Sequence, residues 1–254
     1  MADDGTVVGR VAEILEAVAD AGGPLTLAEL ARGTGIPKPT ARRIAASLIE
    51  RGLLDRTPDG YVLGGRLLRY GLHALIRHPA MLAAQPYLQD LHQRSGGELA
   101  WFGILHDGEL TLADAVFGRA HQIPLRTSAW PGTALLGPSV VLLASGRLQV
   151  AHHPDQADRI LSAGWTRMTR YSVTDPRRMR DLLAEARDTG FAQEEEQTRL
   201  GWGCVAAVLR DPGGQMIGAI GVTGRTATIA ARGLRGGLLR SSHALQGELA
   251  APYP

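Results

Sequence analysis

Residues Thr26 to Leu63 read TLAELARGTGIPKPTARRIAASLIERGLLDRTPDGYVL. Thr26, followed three residues later by Glu29, is a capping box. It opens a helix whose apolar positions are Leu27, Leu30 and Ala31. Gly33 and Gly35 flank a tight turn. Ile36-Pro37 enters a second helix. Pro39 suits its first turn, and Ala41, Ile44, Ala45, Leu48 and Ile49 make its inner stripe. The opposite face carries Thr40, Arg42, Arg43 and Ser47. The run Arg56-Thr57-Pro58-Asp59-Gly60-Tyr61 signals a hairpin joined at Asp59-Gly60. Helix, glycine turn, helix and hairpin make the pattern of a winged helix-turn-helix, which lays its second helix in the major groove of DNA.

Upstream, Val8, Val11, Ile14, Leu15 and Val18 repeat at helical spacing until Gly22-Gly23-Pro24. Downstream, Gly64-Gly65 punctuates the chain. Leu67, Leu68, Leu72 and Leu75 then lie on one amphipathic helix that runs to His78-Pro79 and reads as a linker. A helix from Met81 to Arg94 follows. The strand-like runs LAWFGIL and ELTLADAVF flank His106-Asp107-Gly108. Pro124 to Leu143 reads as a loop and then a helix, and Pro176 to Thr189 as a helix ended by Gly190. CVAAVL and MIGAIGVTG form a hairpin around Asp211-Pro212-Gly213-Gly214, and a last helix covers about Ala230 to Ala250. The order predicts an α+β protein with an antiparallel sheet. The expected domains are a winged helix-turn-helix over 1–65, a linker helix over 66–79 and a sensing and oligomerisation domain over 80–254.

A net charge of +2 does not advertise a polyanion partner for the chain as a whole. The charge is local: Arg32, Lys38, Arg42, Arg43 and Arg51 cluster around the second helix against Glu50 alone. Adjacent helical residues diverge by about 100°, so Arg42 and Arg43 cannot both point into the groove. Arg43, in line with Thr40 and Ser47, is the expected base reader. Arg42 and Lys38 are the expected phosphate contacts. The alternative is a winged helix used only for protein contacts. The single Cys204 excludes an intrachain disulfide and fits a reducing compartment. No secretory leader and no run of about 18 apolar residues is present, so a cytoplasmic protein without membrane contact is expected.

Several residues invite sharper readings. Cys204 could be a nucleophile, but CVAAVL is a buried strand and no His stands in a triad pattern, so a pocket or core thiol is the ordinary reading. His152-His153 could bind a metal, but no Cys or acidic cluster supports them, and a solvated loop is expected before Pro154. Glu194-Glu195-Glu196 is either a solvated run or a run with one member turned into a pocket. Arg167, Arg170, Arg177, Arg178 and Arg180 read as exposed surface. Trp101 is a core or a pocket residue, whereas Trp130 and Trp202, beside glycines, are expected at a pocket. No Walker loop, dinucleotide fingerprint or nucleophile elbow occurs.

Four segments in order, GIPKPTARRIAASLIERGLL, DGYVLGGRL, PLRTSAWPGTALL and ARDTGFAQEEEQTRLGWGCVAAVLRDPGGQMIGAIGVTG, resemble the IclR family of transcriptional regulators. The resemblance implies an N-terminal winged helix-turn-helix, a linker helix and a GAF/PAS-like effector-binding domain with an antiparallel sheet, in dimers or tetramers. It implies that Cys204 is the sensor-domain cysteine and that Glu194 helps line the pocket. Gly221 and Thr223 fall where some members present two serines to a small acid. Ser128 and Ala129 match the loop that closes the site. The family's glycine-lysine-alanine stands here as Gly132-Thr133-Ala134. With a hydroxyl missing at Gly221 and broad faces at Trp130 and Trp202, the expected effector is apolar or aromatic and larger than a two- or three-carbon acid.

The function so implied is a ligand-responsive, DNA-binding regulator, a repressor by the family's prior. It would bind a pseudo-palindromic operator as a homodimer or dimer of dimers, with no cofactor, no metal and no catalytic activity. Two rivals remain. An enzyme fused to a DNA head would need a nucleophile or an acid–base pair that the sequence does not offer. A regulator without an effector would only mediate assembly.

Overall fold

The computed structural model describes residues 6–76, 79–106, 108–121 and 133–250. Ser128, Ala129, Trp130 and Gly132 lie outside these residues. The chain divides into two compact units, Met1–Arg77 and His78–Pro254.

The first unit holds helices α1 (Val7–Asp20), α2 (Leu27–Thr34) and α3 (Lys38–Glu50), strands β1 (Leu54–Thr57) and β2 (Gly60–Leu63), and helix α4 (Gly65–Ile76). The capping box is present: the Glu29 amide donates to Thr26 Oγ1 at 3.3 Å and the Thr26 amide to Glu29 Oε2 at 3.0 Å. Gly35 ends α2 at φ 70°, a left-handed conformation that a side chain would strain. Ile14, Val18, Leu30, Ile36, Ile44, Leu48, Leu54 and Tyr61 close one small core. The hairpin turns one residue earlier than expected. Gly60 pairs with Thr57, so Pro58-Asp59 makes the turn and Gly60 belongs to the strand. Leu25 bridges Tyr61 and ties the α1–α2 connection to the wing.

The second unit is built on a five-stranded sheet of order β4-β3-β7-β6-β5, antiparallel throughout. Helix α5 (Pro79–Arg94) precedes β3 (Leu99–His106) and β4 (Glu109–Val116). A 3₁₀ stretch from Thr133 to Leu142, broken at Gly137, leads to α6 (Ala144–Ala151), α7 (Pro154–Ala163) and α8 (Pro176–Thr189). Then come β5 (Phe191–Glu195), β6 (Trp202–Arg210), β7 (Met216–Arg225), α9 (Thr226–Arg232) and α10 (Arg235–Ala250). The expected single last helix is two helices, because Gly233 turns left-handed between them. Helices α6 and α7 and strand β5 were not expected, and the helix expected to end at Leu143 is the 3₁₀ stretch.

Both faces of the sheet are covered. Ala100, Phe102, Val205, Ala207, Leu209, Ile220 and Val222 pack on α5 and α10 through Leu88, Leu91, Leu238 and Leu245. Leu99, Trp101, Ala192, Cys204, Ala206, Val208 and Ala219 pack on α6, α7 and α8 through Leu148, Ile160, Met179 and Leu183. A strand buried on both faces loses its polar–apolar alternation, so β6 and β7 read as continuous apolar runs.

Removing the Thr26 hydroxyl leaves the first turn of α2 uncapped. Thr26→Ala is expected to destabilise the first unit by about 1 kcal/mol, read by chemical denaturation followed by circular dichroism.

Candidate functional site

Helix α3 presents the candidate DNA surface. Its buried positions Ala41, Ile44, Ala45 and Leu48 fix its rotation. At about 100° per residue, the outermost line then runs through Pro39, Arg43, Ala46 and Glu50. Lys38, Arg42 and Arg43 are exposed, and Thr40 and Ser47 are half-buried on the flank beside Arg43. Arg42 stands on the other flank. No side chain caps the N-terminus of α3, so its first-turn amides are open to a phosphate oxygen.

The second unit gathers polar groups on the α6–α8 face of the sheet. Register places Glu194, Cys204, Thr223 and Leu99 on one cross-strand row through β5, β6, β7 and β3. The next row holds Ala206, Gly221 and Trp101. Trp101 is buried, and its indole Nε1–H donates to Thr223 Oγ1 at 3.1 Å. The room expected at Gly221 does not exist. A side-chain carbon there would overlap the Trp101 ring and the Val205 carbonyl. The glycine makes space for an indole of the protein itself, and the argument from Gly221 to a larger effector fails.

Glu194 is 4% exposed, whereas Glu195 is exposed and Glu196 half-buried. Strand alternation turns Glu195 to the face opposite Glu194, and Glu196 lies beyond the end of the strand. Its Oε2 accepts the Gln197 amide at 3.0 Å. Burial pushes its pKa up to about 7, with the Gln197 bond and Arg147 pulling the other way. Glu196 takes φ 55° in the turn that follows, a conformation costly for a non-glycine residue. Its amide donates to the Trp202 carbonyl at 2.7 Å. Burial, with Glu194 adding to it, raises the Cys204 thiol to about 12. A thiol so held stays protonated near neutral pH and is no nucleophile.

Arg147 is the cation that the sequence reading missed. It projects from α6, and burial lowers its pKa to about 10 while Glu194 supports the charge. Its Nε donates to the Val141 carbonyl at 2.9 Å and its Nη1 to the Gln193 carbonyl at 2.7 Å. The available signal was an arginine inside the apolar run from Val140 to Val150.

Trp202 lies at the start of β6, where the Arg199 and Arg225 guanidinium carbons each stand 5.1 Å from its ring centroid. His121 meets the Trp202 ring edge-on at 5.5 Å, and its Nε2 pairs with Glu98 Oε2 at 2.7 Å. The Trp202 ring is thus engaged by protein cations. His152 and His153 accept no metal partner among the described residues. Each Nδ1 instead bonds a carbonyl of the last turn of α6, Leu148 at 2.7 Å and Gln149 at 2.8 Å. The stretch Arg167, Arg170, Arg177, Arg178 and Arg180 is exposed.

Two outcomes follow from this packing. Gly221→Ala is expected to cost about 1–3 kcal/mol of stability, because Trp101 must move from an already filled site; thermal denaturation measures it. Glu194 has a folded-state pKa above its ordinary 4.5, so its contribution to stability is complete below that value and is lost as pH rises through about 7. Glu194→Gln stays neutral. It should match the parent near about pH 4 and exceed it by up to about 3 kcal/mol near about pH 8, in paired melts across that range.

Comparison with known proteins places both units. The family profile "IclR helix-turn-helix domain" matches residues 7–58, and "Bacterial transcriptional regulator IclR C-terminal" matches residues 72–243. The glycerol operon regulatory protein of Streptomyces griseus is 28% identical over 228 residues, covering 85% of this chain and 83% of its own. The transcriptional repressor IclR of Escherichia coli is 24% identical over 223 residues, covering 85% and 78%. An IclR homolog of Microbacterium hydrocarbonoxydans, crystallised with 4-hydroxybenzoate, superposes with a TM-score of 0.74 at 22% identity, covering 97% of this chain and all of its own. With its DNA-reading head and its second unit both accounted for, the chain belongs to the IclR family of DNA-binding transcriptional regulators, and it is a regulator rather than an enzyme.

Proposed function

We propose that this regulator represses its target by occupying an operator as a homodimer, or a dimer of dimers, and that a small molecule bound by residues 80–254 changes that occupancy. Residues 1–65 read the DNA and residues 66–79 link the two functions. The observation that carries the reading is the exposed basic face of α3, held in phase by four buried residues on its other side. Arg43, nearest the outermost line, reads a base edge. Lys38, Thr40, Arg42 and Ser47 hold phosphates or flank the reader. The name of the E. coli relative supports repression, and the ligand of the Microbacterium homolog supports a small aromatic acid as the kind of effector to try.

The effector site we propose is the Glu194–Cys204–Thr223 row with Trp101 as its wall and Gly221 beneath that ring. Ser128, Ala129 and Trp130, which the family resemblance adds to the site, lie outside the described residues. Trp202, with Arg199 and Arg225 over its ring, belongs to the same proposed site.

Helix α4 supports the dimer. Leu68 is 78% exposed and Leu72 53% exposed, one helical turn apart. Tyr70 is also exposed. The side chain of Leu75 lies outside the description. Such an apolar face is more than a solvated spacer needs, and a second copy would cover it.

Mobility-shift titration of the promoter region upstream of the protein's own coding sequence, with and without 4-hydroxybenzoate and related acids, tests the reading. A specific shift that an effector abolishes is expected. Arg43→Ala should cost about 1–3 kcal/mol of binding and relax sequence preference, whereas Lys38→Ala should weaken all sequences alike and reduce the salt slope by about 1. An Arg43→Ala protein that keeps full affinity and preference would remove Arg43 from the reading role. Light scattering should show a dimer or larger at micromolar concentration and a smaller species for Leu68→Glu/Leu72→Glu; a monomeric parent would overturn the assembly.

A further inference from the structure

The second unit buries one guanidinium with a nitrogen to spare. Arg147 is 2% exposed. Two of its nitrogens are bonded to the Val141 and Gln193 carbonyls, and the third, Nη2, is closed to solvent with no hydrogen-bond partner. A buried charged donor left unmade costs more than an ordinary hydrogen bond returns. Glu194 does not answer it. One oxygen of that carboxylate accepts the Gln197 amide, and no hydrogen bond joins the group to Nη2. The two bonds that exist fix the guanidinium between the 3₁₀ stretch before α6 and strand β5. Gly146 allows this by letting α6 run against the Val140 carbonyl, where a side chain would overlap it.

We propose that Arg147 is the anion anchor of the sensor site: its Nη2 pairs with the carboxylate of a monocarboxylic effector whose apolar body lies against Trp101. The inference rests on the reading above that this unit binds an effector, and it adds the residue that selects for an acid. One spare nitrogen on a fixed guanidinium suits one carboxylate. Nη2 has no exposed surface, so an acid reaches it only when the packing around it opens. Binding is therefore coupled to that opening. The charged and titratable groups around the pair are Glu194 and Glu195 on β5, Arg178 and Glu185 on α8, and Cys204 on β6. A new anion beside Glu194 favours its protonated form, so binding takes up a proton and weakens as pH rises through the neutral range.

The test compares benzoate with benzamide, equal in shape and different in charge, on the full-length protein. Tryptophan fluorescence and thermal stabilisation give the affinities. Benzoate should bind at least about tenfold more tightly than benzamide, and more weakly at higher pH. Arg147→Lys should keep part of the preference and Arg147→Met should lose it, each first shown to melt cooperatively. Should Arg147→Met fail to fold, the acid–amide comparison in the parent and in Arg147→Lys still decides. Equal binding of acid and amide overturns the anchor and leaves the sensor reading intact. A folded Arg147→Met protein that keeps the preference overturns it as well. A parent that neither compound stabilises, and whose operator complex no acid or neutral analogue releases, removes the sensor reading together with the anchor.

Discussion

Where a sheet is covered on both faces its inner side chains lose contact with bulk water, so a polar group buried there needs a partner within the protein. That constraint orders the second unit. Thr223 is met by the Trp101 indole and Glu194 by the Gln197 amide. The turn after β5 is met from the segment before α8. There Ser172 Oγ donates to the Gln197 carbonyl at 2.6 Å and Thr169 Oγ1 to the Glu196 carbonyl at 2.5 Å. These bonds hold Glu196 in its left-handed turn and so hold Glu194 in its inward place. Among the described residues of this unit, the buried side-chain atoms left without a partner are Arg147 Nη2, His121 Nδ1, His152 Nε2 and Thr226 Oγ1, and of these only the guanidinium carries a fixed charge.

Legibility followed the range of the interactions. The first unit is made by short-range signals: a capping box three residues long, a glycine at a left-handed turn, a helix stripe that repeats within one turn. These were readable, and only the hairpin turn slipped by one residue. In the second unit β3, β4, β6 and β7 were readable from apolar runs, and the antiparallel sheet with them. Strand β5 was not, because Phe191-Ala192-Gln193-Glu194-Glu195 is half charged and only its pairing with β6 shows which residues turn inward. Helix α7 had a signal, Pro154 in its first turn with Ala157 and Ile160 buried one turn apart, but the preceding histidines drew the eye to a loop. Those histidines in fact close the end of α6.

The candidate site was half legible, for the same reason. Family resemblance brought Glu194, Cys204, Gly221 and Thr223 to attention, and register puts the first two and Thr223 in one row. What fills the space above Gly221 depends on a residue 120 positions earlier, since Trp101 pairs with it across β3 and β7. No local pattern carries that pairing. A missing side chain on a sheet floor is ambiguous in sequence: it opens room for a guest, or it seats a large neighbour. Here it seats the neighbour.

The consequence is a shift in where recognition is done. Trp101 occupies the place above Gly221 and takes one lone pair of the Thr223 hydroxyl, so the floor keeps little hydrogen-bonding capacity for a ligand. Cys204, protonated and buried, adds none of strength. The remaining polar capacity lies at the wall, in Glu194 and Arg147, and these two differ in kind. Glu194 titrates near neutrality and can change its charge to suit a guest. Arg147 remains a cation throughout that range, with its plane fixed by two carbonyls. A fixed cation beside a carboxylate that can be neutralised leaves the site one positive charge to offer. In the proposed site, an aromatic wall and a single positive charge suit an amphipathic acid, a fit that does not depend on the glycine at position 221.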